Sequence, residues 1–297
     1  MSPTRGGGGP AGQAPFGRAW SASLRRGTDA ELRGWVDAAL GWCDEADATA
    51  LRHFRRDVAI NRKPDRTFVT EADVAIEAQL RDRIRAAFHD HGIVGEEHGI
   101  DRPDASVRWY IDPIDGTHNY MRGVPIFATL LGVERDGELQ AGIVSAPALG
   151  GRWYAWRGGG AWAAGSIAGL DRAGSPRPLG VTGISSLGDA QVLYGSSRDV
   201  ERSGLAPGFT ALLDTCWRAR GYSDFWGYML LAEGAADAMI EVGLSIWDIA
   251  GPSVIVEEAG GLVTDFAGRR DLDGGSTLAT NGSLHEQVRR LLVKPAR

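Results

Sequence analysis

The stretch Trp109-Tyr110-Ile111-Asp112-Pro113-Ile114-Asp115-Gly116-Thr117 reads as a buried strand that ends in two acids. Residues 108–111 supply the strand, and Pro113 and Gly116 break it sharply. Side chains three apart across such a turn can converge on one point, as the oxygen ligands of Mg²⁺ must. Pro113 also restricts the backbone of Asp112, fixing the angle at which that carboxylate leaves the strand. Taken alone, the D-x-x-D-G-T pattern suits equally a solvated strand-to-helix turn with an Asp as N-cap.

Downstream the strand-like period continues through residues 126–134, 139–146 and 152–157, with Asp136-Gly137 as a hairpin turn. Upstream the period is helical. Thr28 and Glu31 have capping-box spacing, and Leu32, Trp35, Val36, Ala39, Leu40, Cys43, Ala46, Ala50 and Phe54 follow at helical intervals. A second helix opens near Thr70, with Ile76, Leu80, Ile84 and Ala87 as its apolar stripe. Both stripes read as core packing. Residues 165–190 are rich in Gly, Ser and Pro and carry the crossing between two halves. The second half alternates a strand at 191–195 with helices at 223–235 and 248–258, the last stopped by Gly260-Gly261. Helices first, then a large sheet, then mixed elements predict a layered α+β protein. Residues 1–27 form a disordered Gly/Pro/Arg-rich tail, 28–170 an N-terminal α+β half and 171–297 a C-terminal α/β half.

Composition narrows the function. The 297 residues, 43% hydrophobic and 24% charged, make an ordinary globular chain long enough for a sizeable core. A formal charge of −6 argues against nucleic-acid binding through bulk electrostatics, and the pairs Arg25-Arg26 and Arg55-Arg56 are short. No apolar run approaches the roughly 18 residues of a membrane span. Cys43 and Cys216 are too few for a disulfide framework or a thiolate metal site. The N-terminus lacks the apolar core of a secretory signal, which points to a cytoplasmic protein.

Two more segments place acids beside apolar neighbours: Val94-Gly95-Glu96-Glu97 and Ile246-Trp247-Asp248-Ile249-Ala250-Gly251. Singly, Glu96-Glu97 suits a charged loop and Asp248 a helix N-cap. Together with Asp112 and Asp115 they read differently, because carboxylates delivered to one site repel strongly unless a cation is present. With no Cys or metal-spaced His nearby, the set favours a hard cation, Mg²⁺ rather than Zn²⁺.

Gly95-Glu96-Glu97, WYIDPIDGTHNY (109–120) and WDIAGPSVIVEEAGG (247–261) closely resemble the signatures of the inositol monophosphatase family of Mg²⁺-dependent, lithium-sensitive phosphatases. The resemblance runs from about Thr28 to Leu292. It includes Lys63-Pro64-Asp65-Arg66-Thr67, which leads to Val69-Thr70-Glu71-Ala72-Asp73. It implies a layered αβαβα sandwich of the sugar-phosphatase type, a homodimer, and direct attack of water on phosphorus with no phosphoenzyme. Residue by residue, it implies that Glu96, Asp112 and the carbonyl of Ile114 hold a first Mg²⁺. Asp112, Asp115 and Asp248 hold a second, and a third, weaker cation lies near Glu96. Asp73 and Thr117 orient the attacking water, and Glu97 is held close to the metal shell. Phosphoryl transfer itself needs charge neutralisation and in-line positioning more than covalent help. The N–H groups of Gly116 and Thr117, at a helix start, are suited to take a phosphate oxygen.

The resemblance implies a small phosphate monoester as substrate, and its class turns on residues 217–228. After the R-x-x-G element Arg218-Ala219-Arg220-Gly221, where inositol-type members have small residues, this chain carries Asp224 followed by aromatics. A carboxylate there suits a cationic substrate better than a neutral polyol. The pattern resembles the histidinol-phosphatase branch. Arg122-Gly123-Val124-Pro125 and the stretch from Arg152 to Ala161 look like its actinobacterial form. Arg218, Asp224 and Glu241 are then the substrate contacts, with Asp224 and Glu241 facing the ammonium and imidazole of L-histidinol phosphate. An alternative within the same chemistry is an inositol-1-phosphatase or broad sugar-phosphate phosphatase. A different class is a non-catalytic paralogue that binds a phosphorylated metabolite. His118, where relatives often have Lys or Thr, is read as a surface or outer-shell residue.

Overall fold

A computed structural model describes residues 27–55, 60–62, 68–165 and 176–293. Residues 1–26 of the expected tail, the segment Lys63 to Thr67, and the boundary between the two halves at 170/171 lie outside the described residues. Helix α1 (Asp29–His53) is followed by a small hairpin of β1 (Ile60–Arg62) and β2 (Phe68–Thr70), then by α2 (Glu71–Ala87). Then come β3 (Gly92–Gly95), β4 (Gly99–Asp101), β5 (Val107–Asp115), the short α3 (Thr117–Met121), and β6 (Ala128–Arg135). The antiparallel run continues through β7 (Glu138–Ala146), β8 (Gly151–Trp156), β9 (Gly160–Gly165) and β10 (Arg177–Pro178). These form an eight-stranded sheet in the order β10-β9-β8-β7-β6-β5-β3-β4.

The rest of the chain builds a second sheet. It runs β11 (Gln191–Tyr194), α4 (Ser197–Arg202), α5 (Ala206–Thr215), β12 (Arg218–Arg220), α6 (Asp224–Ala232) and β13 (Ala238–Val242). It ends with α7 (Ile246–Glu258), β14 (Leu262–Thr264), β15 (Ser276–Thr280) and α8 (His285–Leu292). The five strands lie in the order β12-β11-β13-β15-β14. Three apolar clusters glue five layers. The first joins α1 and α2 to one face of the large sheet, through Trp35, Ile76, Trp109 and Leu131 among others. The second joins the opposite face to α6, α7 and the second sheet, through Trp153, Phe225, Ile255 and Met239. The third packs the far face of the second sheet on α5 and α8, through Ile240, Phe209 and Val288. The expected layered αβαβα sandwich is therefore the observed architecture.

Local expectations hold with instructive exceptions. Thr28 accepts the Glu31 N–H at 3.2 Å, but the reciprocal half of the box is missing because Arg135 draws the Glu31 carboxylate away. Ile76, Leu80 and Ile84 are buried as expected, whereas Ala87 is exposed and Ala72 completes the stripe instead. The strand around Trp109 does not break at Pro113. It runs on to Asp115 through an irregularity in which β5 advances three residues, Asp112 to Asp115, while β6 moves two, Leu130 to Ala128. Pro113 has no N–H to give the ladder, and Thr129 Oγ1 donates to its carbonyl at 2.8 Å. One extra residue changes strand parity: side chains three apart, which in a regular strand point to opposite faces, here share one.

Helix α7 lies on the sheet at close range. Gly132 and Gly142 are ladder partners on β6 and β7, and α7 crosses them at Ala250 and Gly251. A Cβ at Gly142 would stand 2.1 Å from the Gly251 carbonyl oxygen. This contact sets the height of α7 and hence of Asp248 on its first turn. Gly142→Ala is expected to lower stability by about 1–3 kcal/mol through overpacking. The check is the urea midpoint, and no shift in it would mean that the contact yields freely.

Candidate active site

The bulge, the start of α3, the start of α6, the end of β13 and the start of α7 meet around a pocket of about 530 Å³. Glu96, Asp112, Ile114, Asp115, Gly116, Thr117, Asp224, Glu241 and Asp248 all line it. Three of the anticipated residues do not. Asp73 lies behind the wall, within electrostatic reach of Glu96 and Asp112. Glu97 is half-buried on the turn after β3, and Arg218 is exposed on the edge strand β12. The pocket also takes in Ser196, Asp199, Ser223, Tyr228 and residues 242–244, which the sequence reading did not single out. Ser196 accepts the Asp199 N–H at 3.2 Å as the N-cap of α4, so its S-x-x-D spacing was the available signal.

Each acid is fixed by a different element. Asp112 is 2% exposed on β5, and its Oδ1 has no hydrogen-bond partner. Asp115 Oδ2 accepts the Phe225 N–H at 2.6 Å, tying the bulge to α6 across the layers. Asp248 Oδ2 accepts the Ser245 N–H at 2.7 Å, closing the capping box of α7. Asp224 adopts a left-handed backbone (φ 58°) at the first residue of α6. Its Oδ2 accepts from Asn119 Nδ2 at 3.3 Å and from Ser223 Oγ at 3.2 Å, and its N–H donates to Glu241 Oε1 at 3.3 Å. Glu241 Oε2 is buried without a partner. His118 is exposed on the rim, close enough to Asp224 to oppose the effect of burial on its carboxyl.

The electrostatics follow from crowding. Burial, then the neighbouring Glu96, Asp115 and Asp248, push the Asp112 carboxyl well above the usual range. Burial, then Asp224 and Asp248, do the same to Asp115. Burial raises Asp248 to about 7, Glu241 to about 8 and Asp73 to about 6. Among the described residues, no three acids or imidazoles close on a single point in a metal-holding geometry. The donor set nonetheless fits a hard cation: it is all oxygen, and a buried Asp112 oxygen is unpartnered.

At the start of α3, Gly116 is left-handed (φ 79°) and leads directly into the helix. Thr117 Oγ1 donates to the Ile114 carbonyl at 2.9 Å, which leaves the hydroxyl's lone pairs free to accept. Amide donors therefore stand beside a ring of carboxylates, an arrangement able to bind an anion only with those acids neutralised.

Residues 31–295 match the model of the inositol monophosphatase family. The chain is 42% identical over 251 residues to the histidinol-phosphatase of Mycobacterium tuberculosis, covering 84% of this chain and 94% of that one. It is also 42% identical over 250 residues to the histidinol-phosphatase of Streptomyces coelicolor, covering 82% of this chain and 91% of that one. Among solved structures, the "IMPase" of Thermotoga maritima superposes with a TM-score of 0.76 at 28% identity, covering 87% of this chain and 96% of that one.

The raised acids have a thermodynamic consequence. With Asp248 moved from 3.8 to about 7 and Glu241 from 4.5 to about 8, the folded form holds protons that the unfolded chain has already released. Their stabilising contribution is present below about pH 4 and is lost as pH rises towards about 8. In EDTA, Tm is expected to fall between about pH 5 and 8, and Asp248→Asn should flatten that fall. A Tm that rises across this window, unaltered by the substitution, would show that the acids are not crowded.

Proposed function

Because the chain belongs to the inositol monophosphatase family and is a phosphatase, we propose that it hydrolyses L-histidinol phosphate to L-histidinol and phosphate in a Mg²⁺-dependent reaction. The observation that carries the substrate is Asp224. It sits opposite the phosphate-binding turn, with Oδ2 3.6 Å from where a Cβ on Gly116 would lie, and Glu241 stands beside it. Half-buried Asp224 and buried Glu241, beyond the metal-facing acids, give the pocket a second acidic region, suited to pairing with the ammonium and imidazole of histidinol. The high identity to two histidinol-phosphatases supports the same substrate.

Glu96, Asp112, Asp115, Asp248 and the Ile114 carbonyl would hold two to three Mg²⁺ ions. When bound, these supply Lewis acidity and neutralise charge on the phosphate and the leaving oxygen. The remaining work falls to the chain itself. The N–H groups of Gly116 and Thr117 donate to phosphate oxygens and orient the ester in line. Thr117 Oγ1, its proton committed to Ile114, accepts from the attacking water. Asp73 Oδ2 is occupied by Thr70, while its Oδ1 is buried without a partner and able to take a proton. The Glu97 N–H, donated to Glu77, ties down the turn that carries Glu96. Arg218, outside the pocket, would contribute only from its rim or from a neighbouring subunit of a homodimer. Cytoplasmic histidine biosynthesis suits the substrate, and no helix among the described residues is long and apolar enough to cross a membrane.

The test compares phosphate release from L-histidinol phosphate and from inositol 1-phosphate, with Mg²⁺ and with EDTA, in wild type and Asp224→Asn. Asn tolerates the left-handed backbone, so the substitution removes charge without added strain. KM for histidinol phosphate should rise about tenfold or more, with inositol 1-phosphate little changed. Equal effects on both substrates would reduce Asp224 to a helix-starting residue and favour the broad phosphatase.

A further inference from the structure

Glu96 sits on the turn between β3 and β4, and that turn is held from two sides. On the strand side, the Glu96 N–H donates to the Ile111 carbonyl at 3.2 Å, extending the β3–β5 ladder to Glu96 itself. On the other side the turn rests on α2. Glu77, on the second turn of that helix, is 0% exposed. Its carboxylate accepts the N–H of Glu97 at 2.6 Å and the N–H of His98 at 3.0 Å. Arg81, one turn further on, donates from Nε to Glu77 at 2.8 Å and from its NH2 group to the Gly99 carbonyl. The two side chains therefore grip the turn at both its amides and its far carbonyl. The fit is close: a Cβ on Gly95 would come within 2.0 Å of Glu77 Oε1.

Water or an Asn side chain would satisfy two turn amides without burying a charge. A buried ion pair contributes little net stability, because desolvation offsets most of its attraction. What it does supply is fixed geometry, and here that geometry belongs to the residues on either side of Glu96. We propose that Glu77, neutralised by Arg81, is the positioning residue for Glu96, holding that carboxylate where it can meet a divalent cation. The proposal rests on reading Glu96 as a metal ligand.

The experiment titrates the full-length wild type, Glu77→Gln and the double variant Glu77→Gln/Arg81→Gln with Mn²⁺ alone, following free Mn²⁺ by electron paramagnetic resonance. Folding is checked by far-UV circular dichroism. Gln keeps the size of Glu77 but turns one acceptor into a donor facing the turn amides, and the double variant leaves no unpaired buried charge. Both variants should bind Mn²⁺ about tenfold or more weakly, and the Mg²⁺ needed for half-maximal phosphate release should rise by the same factor. Unchanged Mn²⁺ affinity in either folded variant overturns the proposal and leaves the metal reading standing. Failure of wild type to bind Mn²⁺ removes the metal reading and the proposal with it. Loss of fold in both variants would make Glu77 a determinant of the fold rather than of Glu96, and overturns the proposal too.

Discussion

Carboxylates buried side by side repel one another, and the described part of this molecule is arranged to hold several of them at one pocket regardless. Asp112, Asp115, Asp248 and Glu241 come from three elements in three layers, and burial with proximity raises every one of their carboxyls. Nothing local could hold such a set. The bulge in β5 turns Asp112 and Asp115 to one face, the glycine contact under α7 sets the position of Asp248, and the Phe225 amide anchors Asp115 from α6. Glu241 arrives from the second sheet. The middle helical layer, α6 and α7, joins the two sheets through a continuous apolar cluster. The pocket is thus a product of the whole sandwich rather than of one loop.

Much of this was legible in the sequence. The long amphipathic helix α1, the antiparallel run β6 to β8 and the acidic segments all declare themselves through local pattern, and nine of the expected site residues line one pocket. The parts that were not legible depend on long-range contact. Pro113 suggests a broken strand, whereas the ladder with β6 absorbs it as an extra residue. Glu77 and Arg81 look like an ordinary i,i+4 pair on a solvated helix face, and only the turn at 95–99 buries them. The short strands β13 and β15, buried among apolar neighbours, lack the alternation that marks a half-exposed strand. The Glu31 capping box failed because Arg135, over a hundred positions away, competed for the same carboxylate.

The pocket divides into two chemical regions. Asp112, Asp115, Asp248 and Glu96 face the start of α3, where amide donors suit a phosphate. Asp224 and Glu241 stand at the start of α6 and the end of β13, joined through the Asp224 amide. The first region is what family membership leads one to expect, and the second is the proposed selector of the ester. Asp224 holds a left-handed backbone there, a conformation tolerated by Asp and Asn better than by most residues. Such strain is retained where surrounding contacts over-determine it, as Asn119, Ser223 and Glu241 do here.

The proposed trade is that crowded acids cost the metal-free protein stability and serve the metal-loaded one. Asp112→Asn tests it most directly, by pairing Tm in EDTA at about pH 8 with phosphate release in Mg²⁺. Removing one negative charge from the cluster should raise Tm in EDTA, while phosphate release falls by about a hundredfold or more. A lowered Tm together with near-normal phosphate release would contradict it, because the carboxylate would then be stabilising the fold and standing outside the chemistry.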